Sequence, residues 1–131
     1  MARYFASLPA PGDLIWCHFP ETVGVPGPQP RPALVLAVAA EFKAVVVAYG
    51  TSQKTDQIYP TEFVIDPTDA NFDLTGLSVR TKFDMAHQVQ IPFNTDWVSK
   101  APSIMPNTPL PKLGVLPPHY IRVAKAAARK R

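Results

Sequence analysis

The sequence predicts a small, mainly β domain. It reads as a strongly bent antiparallel sheet or partly open barrel of five to seven short strands, with a short internal helical turn and one C-terminal α-helix closing a side. Three observations carry this. Short apolar runs rich in valine, isoleucine and aromatic residues recur between turn residues, and such side chains suit pleated, half-buried surfaces. The 16 prolines, far above the usual share of ~5%, cluster from Pro9 to Pro32 and from Pro92 to Pro118, where they favour ordered loops and extended edges over helices. Only the last residues show helical periodicity.

Gly12-Asp13 is a turn leading into a first strand, Leu14 to Phe19. Pro20 to Pro30 is a loop with Gly24 and Gly27. A second strand, Ala33 to Ala39, is apolar without alternation, which predicts burial on both faces. A third, Phe42 to Tyr49, follows a short connection and pairs with it as a hairpin. Gly50 to Asp56 breaks the apolar pattern with seven small or polar residues. Ile58-Tyr59 and Glu62 to Ile65 resume extended structure. Asp66 to Phe72 fits a single helical turn with an aspartate cap and proline at its first position, closed by Gly76. Leu77 to Phe83 and His87 to Ile91 read as two further strands. Asn94 to Ser99 is a turn containing Trp97, and Ala101 to Leu116 is irregular. After Pro117-Pro118, the residues Tyr120, Val123, Ala124 and Ala127 form an i, i+3, i+4, i+7 stripe, with Arg122, Lys125 and Arg129 opposite. The prolines suit the start of that helix, and the cations suit its C-terminal end, where the macrodipole favours them.

The whole chain, 1–131, reads as one domain with an N-terminal extension at 1–11 and a helix with a basic tail at 117–131. No apolar run reaches a membrane-spanning length and the N-terminus is no convincing signal peptide, so the expected location is the cytoplasm, away from the membrane. The net charge of +3 is uneven. The segment from His119 onward carries five cations and no acid, leaving eight basic and ten acidic side chains elsewhere. Any nucleic-acid contact must therefore rest on local cations. Cys17, the single cysteine, precludes an internal disulfide and falls in an apolar strand, where a buried inert thiol is expected.

The candidate chemistry centres on Arg31. Pro30 and Pro32 restrict its backbone just before the second strand. A guanidinium so held suits a phosphate or carboxylate fork, and equally a strand-end ion pair. The rim Thr51-Ser52-Gln53-Lys54 offers hydroxyls, an amide and an ammonium that suit a phosphodiester; an ordinary polar loop is the alternative. Lys82 and Asp84 lie two apart, on one face if they occupy a strand, as a surface ion pair or as site residues. His18 is either a general base or a satisfied core or edge histidine. His18, His87 and His119 have no metal-ligand spacing, so no metal and no cofactor is expected. Serine-hydrolase, zinc-protease, P-loop and Rossmann signatures are absent.

In this order the pieces resemble the PemK/MazF family of toxin endoribonucleases from type II toxin–antitoxin systems. Gly12-Asp13-Leu14-Ile15-Trp16 matches the family's first strand, and Pro20-Glu21-Thr22-Val23-Gly24 is similar to its Asp-Pro-Thr-x-Gly loop. Arg31-Pro32-Ala33-Leu34-Val35-Leu36 matches its Arg-Pro motif, and Ala48-Tyr49-Gly50-Thr51-Ser52-Gln53 its third strand and Thr-Thr/Ser exit. The resemblance runs from Gly12 to Ile65. It implies an SH3-like small barrel, a homodimer, and metal-independent cleavage of single-stranded RNA by the RNA's own 2′-OH, giving a 2′,3′-cyclic phosphate. Arg31 would stabilise the charged transition state and Thr51 would donate to a nonbridging oxygen. Lys82 and Asp84 fall where some members carry an Arg-x-Asp pair used in catalysis, and Ser52, Gln53 and Lys54 of the polar rim are candidates for catalysis or RNA binding beside them. A cognate antitoxin with an acidic tail, and DNA binding by the joint complex, are also implied. The first loop, Val25-Pro26-Gly27-Pro28-Gln29, lacks the His/Ser and Glu-Gln common in the family, which leaves the general base unassigned. A second function class stays open: a non-nuclease barrel that inhibits a protein target, as gyrase-poisoning toxins do.

Overall fold

The structure, a computed structural model, describes residues 3–5, 7–99 and 111–130. Among the described residues, seven strands form one curled antiparallel sheet, a half-barrel, with one α-helix at the C-terminal end. The strands are β1 (Asp13–Cys17), β2 (Arg31–Ala39), β3 (Ala44–Thr51), β4 (Glu62–Ile65), β5 (Thr81–Pro92), β6 (Val98–Ser99) and β7 (Lys112–Val115); the helix is α1 (His119–Ala128). The order across the sheet is β4-β5-β3-β2-β1, and β1 is then shared end to end by β7 on Asp13–Ile15 and β6 on Trp16–Cys17. No described helix is long and apolar enough to cross a membrane.

β1, β2 and β3 are buried on both faces, as the unalternating apolar run of β2 predicts. Leu14, Leu34, Ala48, Phe63 and Phe83 meet Tyr120, Ala124 and Ala127 of α1 on one side. Ile15, Cys17, Ala33, Val35, Val45, Val47 and Ile91 form the second core on the other. The expected β2–β3 hairpin is present, with Ala33 opposite Tyr49 and Ala39 opposite Ala44. Burial pushes the Cys17 thiol up to about 12, which makes it an inert core group.

Several element boundaries differ from expectation. β1 ends at Cys17, before His18 and Phe19, because the His18 N–H turns aside to the Trp97 carbonyl, 2.7 Å, and its carbonyl takes the Gly27 N–H. β3 begins at Ala44 because Ala40–Phe42 is a 3₁₀ turn and Lys43 reverses the chain at φ 51°. Ile58-Tyr59 lies in a loop outside the sheet. The internal helical turn occurs at Phe72–Thr75 instead of Asp66–Phe72, although Gly76 closes it at φ 72°. A Cβ on Gly76 would meet the Leu113 carbonyl oxygen at 2.0 Å, so the left-handed residue also lets β7 approach. The two strands expected at Leu77–Phe83 and His87–Ile91 are one bent strand, β5. Of the segment expected to be irregular, Lys112–Val115 is β7, its backbone drawn to the open edge of β1, and 101–110 lies outside the described residues. In α1, Val123 is 45% exposed, so the buried stripe is Tyr120, Ala124 and Ala127.

Two carboxylates order the loop between β4 and β5, and one of them ties it to α1. Asp66 accepts the Thr68 N–H and hydroxyl, at 2.9 and 2.7 Å, and pairs with Arg80. Asp69 accepts the Asn71 N–H at 2.8 Å and pairs with His119 Nε2 at 2.7 Å. Both carboxyls are held below the usual carboxylate range, chiefly by those backbone donors, then by Thr68 and Arg80 for Asp66 and by His119 for Asp69. A folded pKa below the unfolded one contributes stability above about pH 4 that is lost as pH falls through the folded value. The urea midpoint is therefore expected to drop between pH 5 and pH 2, and Asp66→Asn with Asp69→Asn should flatten that drop.

Candidate functional site: a cleft around Arg31

The open ends of β2 and β3 build the site. Arg31 is the first residue of β2, opposite Cys17 of β1. Ala33 faces Tyr49 across the hairpin, and continuing that register sets Arg31 opposite Thr51, the last residue of β3. Thr51 in turn faces Lys82 of β5. Directly opposed residues share a face of the sheet, so the pairing register itself brings arginine and threonine to one rim. Gly50 makes the close approach possible. A Cβ there would stand 2.5 Å from the Pro32 carbonyl oxygen and 2.6 Å from the Phe83 ring, forcing β2 and the core away from β3.

Two clefts meet at Arg31. One, of about 350 Å³, has apolar walls from Trp16, Pro32, Leu77, Val79 and Leu113, and hydroxyls from Thr51, Ser52, Ser78 and Thr81. The other, of about 400 Å³, is lined by Phe19, Pro20, Glu21, Pro28, Gln29, Tyr49 and His87 besides Arg31. Arg31 is half-buried, and among the described residues its guanidinium makes no hydrogen bond or ion pair. The Thr51 hydroxyl oxygen accepts the Gln53 N–H at 3.1 Å, which fixes the oxygen and leaves its proton free to donate. A cation and an oriented hydroxyl lining the first cleft suit an anionic group entering it.

The other residues singled out from sequence lie elsewhere. Ser52 joins the first cleft. Gln53 and Lys54 are on the exposed turn beyond it, Lys54 at φ 52°, and line neither cleft. Lys82, opposite Thr51 on β5, is buried: its Nζ donates to the Gln57 carbonyl at 2.8 Å and pairs with Glu62 at 3.2 Å. The expected Lys82–Asp84 pair is replaced by this Lys82–Glu62 pair. Asp84 instead accepts the Thr61 hydroxyl at 2.9 Å and the Ala86 N–H at 3.0 Å. His18 has both ring nitrogens engaged, Nδ1 with the Gly27 carbonyl at 3.0 Å and Nε2 with the Ser99 hydroxyl at 2.9 Å, and lines neither cleft. It pins the proline-rich loop to β6.

Sequence reasoning passed over Trp16, Tyr49 and His87 as site residues. Trp16 and Tyr49 sit in apolar strand runs that read as core; Tyr49, two residues before Thr51, shares its face by alternation, whereas Trp16 pairs with Pro32 and no alternation relative to Arg31 singles it out.

Fold and cleft together define a small β half-barrel with a cationic, hydroxyl-bearing cleft at its strand ends. The family described as PemK-like, MazF-like toxin of type II toxin-antitoxin system matches residues 10–94, and the chain belongs to that family. Its structure is similar to that of MazF (Form-I) from Deinococcus radiodurans, with a TM-score of 0.62 at 20% identity over 95% of this chain and 96% of that one. At that identity the likeness speaks for the fold. No curated protein matches the sequence.

Proposed function

We propose that this chain is the toxin of a type II toxin–antitoxin pair and an endoribonuclease that cuts single-stranded RNA by 2′-OH attack, without a metal ion. The observation that carries the reading is Arg31 and Thr51 lining one cleft, the guanidinium without a partner among the described residues and the hydroxyl proton free. In-line attack puts negative charge on the nonbridging phosphate oxygens, and preorganised donors aimed there lower the barrier. Arg31 would fork onto that charge and Thr51 would donate to one oxygen. The apolar walls beside them, Trp16, Leu77 and Val79, suit the splayed bases of a single strand. A homodimer, and an antitoxin that covers the cleft with acidic residues, follow from family membership as part of this proposal.

The test is incubation of the purified protein with a defined, 5′-labelled single-stranded RNA in EDTA, with both ends at each cut mapped. The expected products are a 2′,3′-cyclic phosphate and a 5′-hydroxyl. Intact RNA, or cleavage only on adding a divalent ion, would overturn the reading.

A further inference from the structure

Val25 to Gln29 of the first loop offers no base, Glu21 is the loop's one carboxylate, and 2′-OH attack needs a proton acceptor. We propose that His87 takes that proton, an assignment that rests on the endoribonuclease reading above. The sheet itself presents the ring. In the β3–β5 ladder Tyr49 faces Asp84 and Ala48 faces Gln88, so residues 85–87 have no partners on β3 and form a wide bulge. Bulges bend a strand and re-aim its side chains. This one is pinned on each side: Asp84 holds Thr61 and the Ala86 N–H, the Met85 N–H donates to the Thr61 carbonyl at 2.8 Å, and Gln88 Nε2 donates to the Met85 carbonyl at 2.6 Å.

The bulge sets the exposed His87 ring edge-on to Phe19, centroids 4.9 Å apart at 82°, and 5.1 Å from Tyr49. There it shares the second cleft with Arg31. Neither His87 nitrogen has a hydrogen-bond partner among the described residues, whereas His18 and His119 are both engaged. The charged groups facing the ring are Arg31 and Glu21, with Tyr49 beside it. An imidazole packed against Phe19 and Tyr49, with both nitrogens free, in a cleft it shares with the cation that meets the phosphate has what a general base requires.

The step balances without a further reagent class. Neutral His87 accepts the 2′-hydroxyl proton as O2′ bonds to phosphorus. The P–O5′ bond breaks and its electron pair leaves with O5′, which takes a proton from water. The imidazolium then returns its proton to solvent.

The experiment compares the full chain with His87→Ala and His87→Gln on the same RNA, with thermal melting as the fold control. The expected result is a fall in kcat of about 10²–10⁴-fold, loss of the acid limb of the pH–rate profile, and partial rescue of His87→Ala by added imidazole. On RNA with a bridging 5′-phosphorothiolate, whose leaving group needs no proton, a base defect persists. A defect that vanishes on that substrate overturns the assignment, as does a change confined to KM, which marks the ring as a stacking surface. Full activity in both variants overturns it while leaving the endoribonuclease reading intact. If the unsubstituted chain cuts no RNA, the endoribonuclease reading falls and this one with it.

Discussion

Arg31→Ala is expected to reduce RNA cleavage by at least 10²–10³-fold, with little change in melting temperature. The side chain is half-buried and makes no hydrogen bond or ion pair among the described residues, so its removal leaves no buried group stranded. The loss should fall on kcat, because the phosphate gains charge only as the transition state forms. Arg31→Lys should recover part of the rate, since an ammonium keeps the charge but not the planar fork. Thr51→Ala should cost a comparable factor. The double variant should cost less than the product of the two, because both donors act on one phosphate. Initial rates on a defined single strand, with melting curves for each variant, check all of this. Undiminished cleavage in Arg31→Ala would remove the guanidinium from the chemistry. Growth arrest that persists in cells expressing that variant, with total RNA intact, would instead favour a barrel that inhibits a protein target.

The parts legible in the sequence are those governed by local rules. Pro30 and Pro32 mark Arg31, the apolar run after it marks a twice-buried strand, and the polar rim after Tyr49 marks where the hairpin opens. Long-range pairing hid the rest. Nothing near Lys82 says that Glu62 and the Gln57 carbonyl will close over it; that depends on β4 docking against β5. The break between Leu77–Phe83 and His87–Ile91 is equally instructive. The residues between those two expected strands break the apolar pattern, and the structure makes them a bulge within one strand. Reading His87 as an ordinary strand start concealed it, since the bulge re-aims its side chain. Val123 shows the converse limit. A ten-residue helix with alanines on its inner face buries only the narrow stripe that the sheet can reach.

Lys82 carries the second large effect, and it is an effect on stability. The side chains of Lys82 and Glu62 are only 8% and 9% exposed, their charged atoms are 3.2 Å apart, and Lys82 Nζ stands 5.8 Å from the centre of the Tyr59 ring. Glu62 also takes the Tyr59 N–H at 2.8 Å, so the pair clamps the loop before β4 onto β5. Removing one partner of a buried pair strands the other charge, at about 3–5 kcal/mol. Set against a typical total of about 5–15 kcal/mol, Lys82→Ala should leave a marginal protein, visible as a large fall in the urea midpoint. Lys82→Met with Glu62→Gln removes both charges while keeping volume, and should regain much of the loss. Cleavage per folded molecule should stay close to that of the unsubstituted chain in the double variant, because Lys82 is buried against Glu62 and Gln57 and lines neither cleft. The resemblance to the family points the other way, placing Lys82 among the residues that touch RNA. A Lys82→Ala protein that melts normally but cleaves slowly would decide for contact with RNA. One that unfolds early, and is restored with its activity by the paired substitution, would show that this lysine serves the rim by holding up the strand beneath Thr51.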